Sequence, residues 1–236
     1  PAPGGDPEGV VAAGDATVRF ALTGRNGASA LDMGRPLAGP GRDALADALA
    51  EVLSGTSSHG GALLAPFGVR FVVAADGELP PASAARLGSQ VDLDQETASG
   101  LIIFHNAASL PPAAVVSATP AQTKQALADQ VLAGTPSATS SLGAMRAVPM
   151  TQVQGGWNGP PAPGLVALST EFSGSWKIEG SAASPRPAFG WATAFTAAKG
   201  HASVRFATQW PRTIETILLG VAWAAALWIT RKPVRR

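Results

Sequence analysis

Residues 210–236 read WPRTIETILLGVAWAAALWITRKPVRR, and this stretch decides how the rest of the chain is read. From Ile214 to Thr230 it carries a single charge, Glu215, and it stops at Arg231, Lys232, Arg235 and Arg236. About 17–25 mainly apolar residues span a bilayer as a helix. Lys and Arg collect on the cytoplasmic side of such a span, and Trp favours the membrane–water interface. A buried core helix can also be apolar all round, but four cations in the last six residues fit a span better. The expectation is a transmembrane helix over 210–230 and a cytoplasmic basic tail over 231–236. Trp210, Arg212, Trp228, Arg231 and Lys232 would sit at the two interfaces, and the bulk of the chain would be extracytoplasmic. The lipid bilayer is then the first expected partner.

Composition narrows what the outer part can do. Four of the 17 Lys and Arg lie in the tail, which leaves 13 cations against 16 carboxylates elsewhere. A nucleic-acid-binding surface needs a basic patch, so nucleic acid is not expected as a partner. With no Cys, the chain has no disulfides, thiolate metal sites or Cys nucleophile, and its fold must rest on its core. The chain begins at Pro1 with no apolar leader, so the expectation is a C-terminal piece of a longer membrane protein.

Working back from the tail, residues 1–15 are rich in Gly, Pro and Asp and read as a linker. Thr17–Leu22 reads as a strand. Asp43–Leu53 reads as a helix, with Leu45, Leu49, Val52 and Leu53 forming one apolar stripe. Strands are expected at 69–74, 91–97, 100–105 and 113–117, with a helix opening at Pro80–Pro81 and another over 120–133. Beyond a Gly/Pro/Ser/Thr-rich stretch with a strand near 144–148, the pattern turns to short strands at 165–172, 175–180, 189–195 and 201–209. The expected fold is α+β: a small α/β layer over 16–134, a β-rich, sandwich-like unit over 135–209, and one C-terminal transmembrane helix.

Two groups of segments carry a family resemblance. The first is GALLAPFGVRFVVA (61–74), LPPASAARLGSQVDLD (79–94) and GLIIFHNAASLPPA (100–113). The second is FSGSWKIEG (172–180), PRPAFGWATAF (185–195) and GHASVRFATQWPRTIETILLG (200–220). Together they resemble the C-terminal extracytoplasmic region of actinobacterial multi-pass membrane proteins of the family 2 glycosyltransferase type. The resemblance implies a cytoplasmic catalytic domain and further spans ahead of this chain. It also implies a role in cell-envelope polysaccharide synthesis and contact with envelope polysaccharide or lipid-linked glycan.

Catalytic signatures are not expected within the chain itself. Asp92-Leu93-Asp94 spells Asp-x-Asp, a pattern that can hold a divalent cation, but two solvated carboxylates on an edge strand are the ordinary reading. His59, His105 and His201 lack metal-ligand spacing. Gly60-Gly61 matches no phosphate loop and reads as a turn. No catalytic residue, metal or cofactor is assigned.

Aromatic residues are the candidates for glycan contact, because an indole face stacks on sugar C–H groups. Trp157, Asn158, Trp176 and Trp191 are singled out, with Glu171, Lys177, Glu179 and Gln209 as polar neighbours. Trp176 and Trp191 also fit a β core, which leaves Trp157, in GGWNGP, as the most exposed ring expected. Two other functions compete: a membrane-anchored structural or protein-interaction module, and a hydrolase using Glu171 or Glu179 with a second acid.

Overall fold

The computed structural model describes residues 9–13, 16–21, 39–118, 131–132, 145–153, 155–160, 164–179, 182–196, 202–207 and 209–230. The fold is α+β, and its larger part is β.

The first layer begins earlier than the sequence suggests. Residues 9–13 belong to a strand, β1 (Gly9–Ala13), paired antiparallel with β2 (Ala16–Phe20). The linker expected over 1–15 is corrected there. Val11 is buried while Val10 is exposed, a real alternation too short to stand out among Ala and Gly. A Cβ at Gly9 would run into the Phe20 ring, which packs across it from β2. Helix α1 (Pro40–Ser54) starts ahead of the expected Asp43, with Pro in its first turn, and ends at Gly55 in the left-handed conformation (φ 78°). Short helix α2 (Gly60–Leu64) runs into a 3-10 turn (Ala65–Phe67), and α3 (Pro81–Gly88) follows β3 (Phe71–Ala75).

Strands β4 (Leu93–Ala98) and β5 (Leu101–Asn106) complete a three-stranded antiparallel sheet of order β3-β5-β4. Helices cover one of its faces. Leu45, Val52, Leu53, Leu63, Leu64, Leu87, Leu93 and Phe104 form the core between them.

The β part is a sandwich. Its central sheet has the order β12-β13-β10-β6-β7: β6 (Ala113–Ala118), β7 (Met145–Pro149), β10 (Leu165–Glu171), β12 (Arg186–Ala188) and β13 (Ala192–Phe195). The second sheet has the order β11-β14-β9-β8: β8 (Thr151–Val153), β9 (Gly156–Asn158), β11 (Trp176–Ile178) and β14 (Ser203–Phe206). Val115, Val166, Leu168 and Phe195 of the central sheet pack on Trp176, Ile178 and Val204 of the outer one, with Met150, between β7 and β8, in the same cluster. On the opposite face Ala114, Val116, Leu165, Ala167, Ala192 and Ala194 meet Ala62 and Ala65 of the helical layer and Val131. Small side chains on that face let the helices approach closely. The Ser169 hydroxyl ties the layers, donating to the Pro66 carbonyl at 2.7 Å.

Strand β6, within the expected 16–134 segment, is hydrogen-bonded between β7 and β10 of the 135–209 segment. One sheet therefore crosses the expected boundary at 134/135. Of the helix expected over 120–133, only 131–132 are described, and they are helical. The strand expected over 189–195 begins at Ala192. Phe189 (φ 49°) and Gly190 (φ 79°) form a tight turn, closed by the Trp191 N–H donating to the Ala188 carbonyl at 3.0 Å.

Helix α4 (Gln209–Thr230) follows β14 almost directly. At about 1.5 Å per residue it is about 33 Å long. Its described side chains, Ile214 and 216–227, are all exposed. Among the described residues, no helix is long and apolar enough to cross a membrane. The side chains of Trp210, Arg212 and Trp228, and residues Arg231 and Lys232, lie outside the described residues.

Candidate functional site

The aromatic candidates do not converge on one surface. Trp157 (β9), Trp176 (β11) and Phe206 (β14) point to the inner face of the outer sheet, because each alternates with an outward-facing neighbour. Trp157 lies 5.2 Å from Trp176, and Trp176 makes an edge contact with Phe206 at 4.9 Å between ring centres. Trp176 is buried and Trp157 half-buried, so neither ring offers an open stacking face. Trp191 belongs to the opposite core, where it lies parallel to Phe67 at 4.8 Å. Its indole Nε1 is buried without a partner. Asn158 alone of the four candidates is exposed.

The outward face of the same sheet is polar. Alternation turns Lys177, Ser203, Arg205, Asn158 and Thr151 outward, and strand pairing sets them in two rows. In the first, Glu179 follows β11 and donates its N–H to the Ser203 carbonyl at 2.7 Å; Ser203 pairs with Asn158, and Asn158 with Thr151. In the second, Lys177 pairs with Arg205, and Arg205 with Gly156. Gly156 must lack a side chain, since a Cβ there would strike the Val204 carbonyl. Arg205 Nε meets Glu179 Oε1 at 2.5 Å in an ion pair that is half-exposed on both sides. Ser203 Oγ is covered and closes no hydrogen bond of full geometry. Its closeness to Glu179, reinforced by Arg205, still holds the Glu179 carboxyl below its ordinary value against a smaller opposing effect of desolvation. A cleft of about 220 Å³ opens among Asn158, Gly159, Glu179, Ala202, Ser203 and Arg205.

Other candidates have structural places. Asp92 precedes β4 and turns to the start of α2, where Oδ1 accepts from the Gly61 N–H at 2.8 Å and Oδ2 from the Ala62 N–H at 2.6 Å. Gln90 Oε1 takes the Gly60 N–H at 2.7 Å. The three amides thus have partners within the chain. Asp94 is exposed on β4 opposite His105, so the two carboxylates of Asp-x-Asp do different things. Gly60-Gly61, expected as a turn, opens the helix instead; a Cβ on Gly61 would collide with the Asn106 side chain and Asp92. Asn106 is fully buried and donates to the carbonyls of Gly61 and Val69, both at 2.9 Å.

His59 sits ahead of α2 with Nδ1 3.1 Å from the Ser58 hydroxyl, and His105 meets the Phe71 ring edge-on. His201 and the Gln209 side chain lie outside the described residues. Among the described residues, no group of three His, Asp or Glu could hold a metal ion. Glu171 is exposed at the end of β10, beside Gly39 at the start of α1. Glu179 is held in its ionised form, whereas a general acid requires a raised pKa. That weighs against Glu179 as the acid of a hydrolase.

Of the polar cluster, Asn158 and Glu179 are legible in the sequence, whereas Ser203 and Arg205 join them only through pairing. The signal for those two was the alternation with Val204 and Phe206, which turns them outward without saying what they meet. Compared with protein-family models, curated proteins and solved structures, the chain matches none.

Proposed function

We propose that the chain is an extracytoplasmic accessory domain of a membrane glycosyltransferase acting in cell-envelope glycan synthesis, anchored by α4 with its basic tail in the cytoplasm. One observation carries the anchor. Ile214, Ile217, Leu218, Leu219, Val221, Trp223 and Leu227 are 48–63% exposed on a single helix. They point to every side of it, since successive residues advance about 100°. So much exposed apolar surface on one element calls for lipid or neighbouring helices around it. The side chains described fall short of a full span, and the flanks WPRT (210–213) and WIT (228–230) would supply the rest. The glycosyltransferase connection rests on the family-like segments, and transfer chemistry belongs to a nucleotide-sugar domain upstream of Pro1.

Residues 1–236 contribute no Cys, so one thiol introduced there reports its side of the membrane by comparison with the unsubstituted protein. Glu96→Cys, on the exposed face of β4, is expected to react with a membrane-impermeant maleimide in intact cells, and the protein to resist alkaline carbonate extraction. Labelling only after permeabilisation, or release by carbonate, would refute the anchor and its orientation.

A second reading, a protein-interaction module, is favoured by the uncovered face of the three-stranded sheet. Phe71 (48% exposed), Val73 (54%) and Leu101 (38%) lie there together, bordered by Asp94 and Glu96. Val73→Asp is expected to abolish in-membrane cross-linking to a protein partner through this face. Cross-links unchanged by the substitution would remove this reading.

A further inference from the structure

We infer that two copies of this chain pair antiparallel through the free edge of β3, about a two-fold axis at Val73, and so join their three-stranded sheets into one. The inference rests on the protein-interaction reading above, for which it names the partner.

Strand β3 pairs with β5 on one side, and among the described residues no strand lies on its other side. The hydrogen bonds that frame it fix which groups are left over. The Asn106 N–H donates to the Arg70 carbonyl at 2.9 Å, and the Asp76 N–H to the Gly100 carbonyl at 2.8 Å. Alternate residues of an antiparallel ladder turn their main chain toward the neighbour, so Arg70, Val72, Ala74 and Asp76 face β5. Phe71, Val73 and Ala75 turn their N–H and C=O groups the other way. Among the described residues, only the Ala75 carbonyl of that outward set has a main-chain partner, the Glu78 N–H at 3.1 Å. Sheets normally guard such an edge with charge, proline or a bulge. The opposite edge strand, β4 (LDQETA), carries Asp94 and Glu96. Strand β3 (FVVAA) carries no charge or proline and runs in unbroken register with β5, with Phe71 and Val73 about half exposed.

The edge is complementary to itself. In antiparallel register about Val73, Val73 faces Val73, Phe71 faces Ala75 and Arg70 faces Asp76. Val73 exchanges both main-chain bonds with its counterpart, and the Ala75 N–H meets the Phe71 carbonyl of the second copy. The large Phe71 ring falls beside the small Ala75, on the row that continues to Leu101. Arg70 and Asp76 are both exposed, and among the described residues neither has an ion-pair partner. The two-fold axis brings them together twice, once at each end of the paired strands. A parallel copy in register would set Arg70 against Arg70, and like charges directly opposite are destabilising. An edge that supplies its own opposite charges and its own size match fits a second copy.

Cysteine cross-linking of the full chain in membranes tests this. Paired Val73 Cα atoms would lie about 5.5 Å apart. That is inside the disulfide range of about 4.4–6.8 Å. Val73→Cys is expected to give a disulfide dimer on mild oxidation, and Glu96→Cys, two strands away on β4, at least five-fold less. In the Val73→Cys chain, Arg70→Asp is expected to lower the dimer yield at least five-fold, and adding Asp76→Arg to restore it, a rescue that misfolding would not give. A Val73→Cys yield no higher than that of Glu96→Cys overturns the inference, as does a yield that Arg70→Asp leaves unchanged or Asp76→Arg fails to restore. A maleimide–benzophenone linker on Val73→Cys separates the two readings. Cross-links to another protein without a self-dimer overturn self-pairing alone; no protein cross-link at all removes the interaction reading as well.

Discussion

Asp92 shows how one side chain can be misread from its neighbours in sequence. Its spacing from Asp94 suggests a metal pair, yet its two oxygens are occupied by the Gly61 and Ala62 amides. Asp92→Ala would leave two amides at the start of α2 without acceptors. The expected loss is about 1–3 kcal/mol in denaturant unfolding, from losing charge-assisted bonds and orphaning donors. Asp94→Ala, on an exposed strand face, is expected to change stability by less than about 0.5 kcal/mol. Equal effects of the two substitutions would refute this division of roles. Glu179 supplies the pH-dependent counterpart. Its folded pKa is depressed, so its contribution to stability is present above the unfolded carboxyl pKa and is lost as pH falls through the folded value. Glu179→Gln should therefore flatten the acid limb of the stability–pH curve. The change is expected to be small, because the pair is open to solvent.

At the scale of elements, the apolar stripe of α1 was legible but its start was not: Pro40, in the first turn, lies ahead of the expected Asp43. Gly100, expected as strand, belongs instead to the Ser99-Gly100 turn that joins β4 to β5. That hairpin has a two-residue loop with both residues at positive φ (53° and 78°), the geometry favouring Asn-Gly. Ser99→Asn is expected to stabilise the protein by a few tenths of a kcal/mol, seen as a higher midpoint in thermal unfolding. A lower midpoint would show that the turn is held by something other than its local preference. Strands β1, β8, β9 and β12 were not legible: the last three are only three residues long, and β1 (GVVAA) is short and mixed with Gly and Ala. Strand β10 was legible as a strand but not by alternation, since both its faces are buried and LVAL has no polar side to show.

Across the whole molecule, the central sheet is the shared structure. Phe195 is fully buried between the two sheets, while its strand also carries Ala192 and Ala194 against the helical layer. Phe195→Ala is expected to cost about 3–5 kcal/mol and to lower the stability of both layers together. Hydrogen exchange at Phe104 and Val204 amides would report it; protection lost only at Val204 would mean that the layers unfold separately. The sequence by itself determined the α+β class, the α1 stripe, most of the longer strands and an apolar C-terminal helix, because those follow from local periodicity and from Pro and Gly. Tertiary structure alone decided that β6 joins the later strands, that Trp157 faces inward, and that Asn158, Glu179, Ser203 and Arg205 share one face of the outer sheet. Those outcomes depend on which strands pair and in what register, and pairing is fixed by burial between residues far apart in the chain.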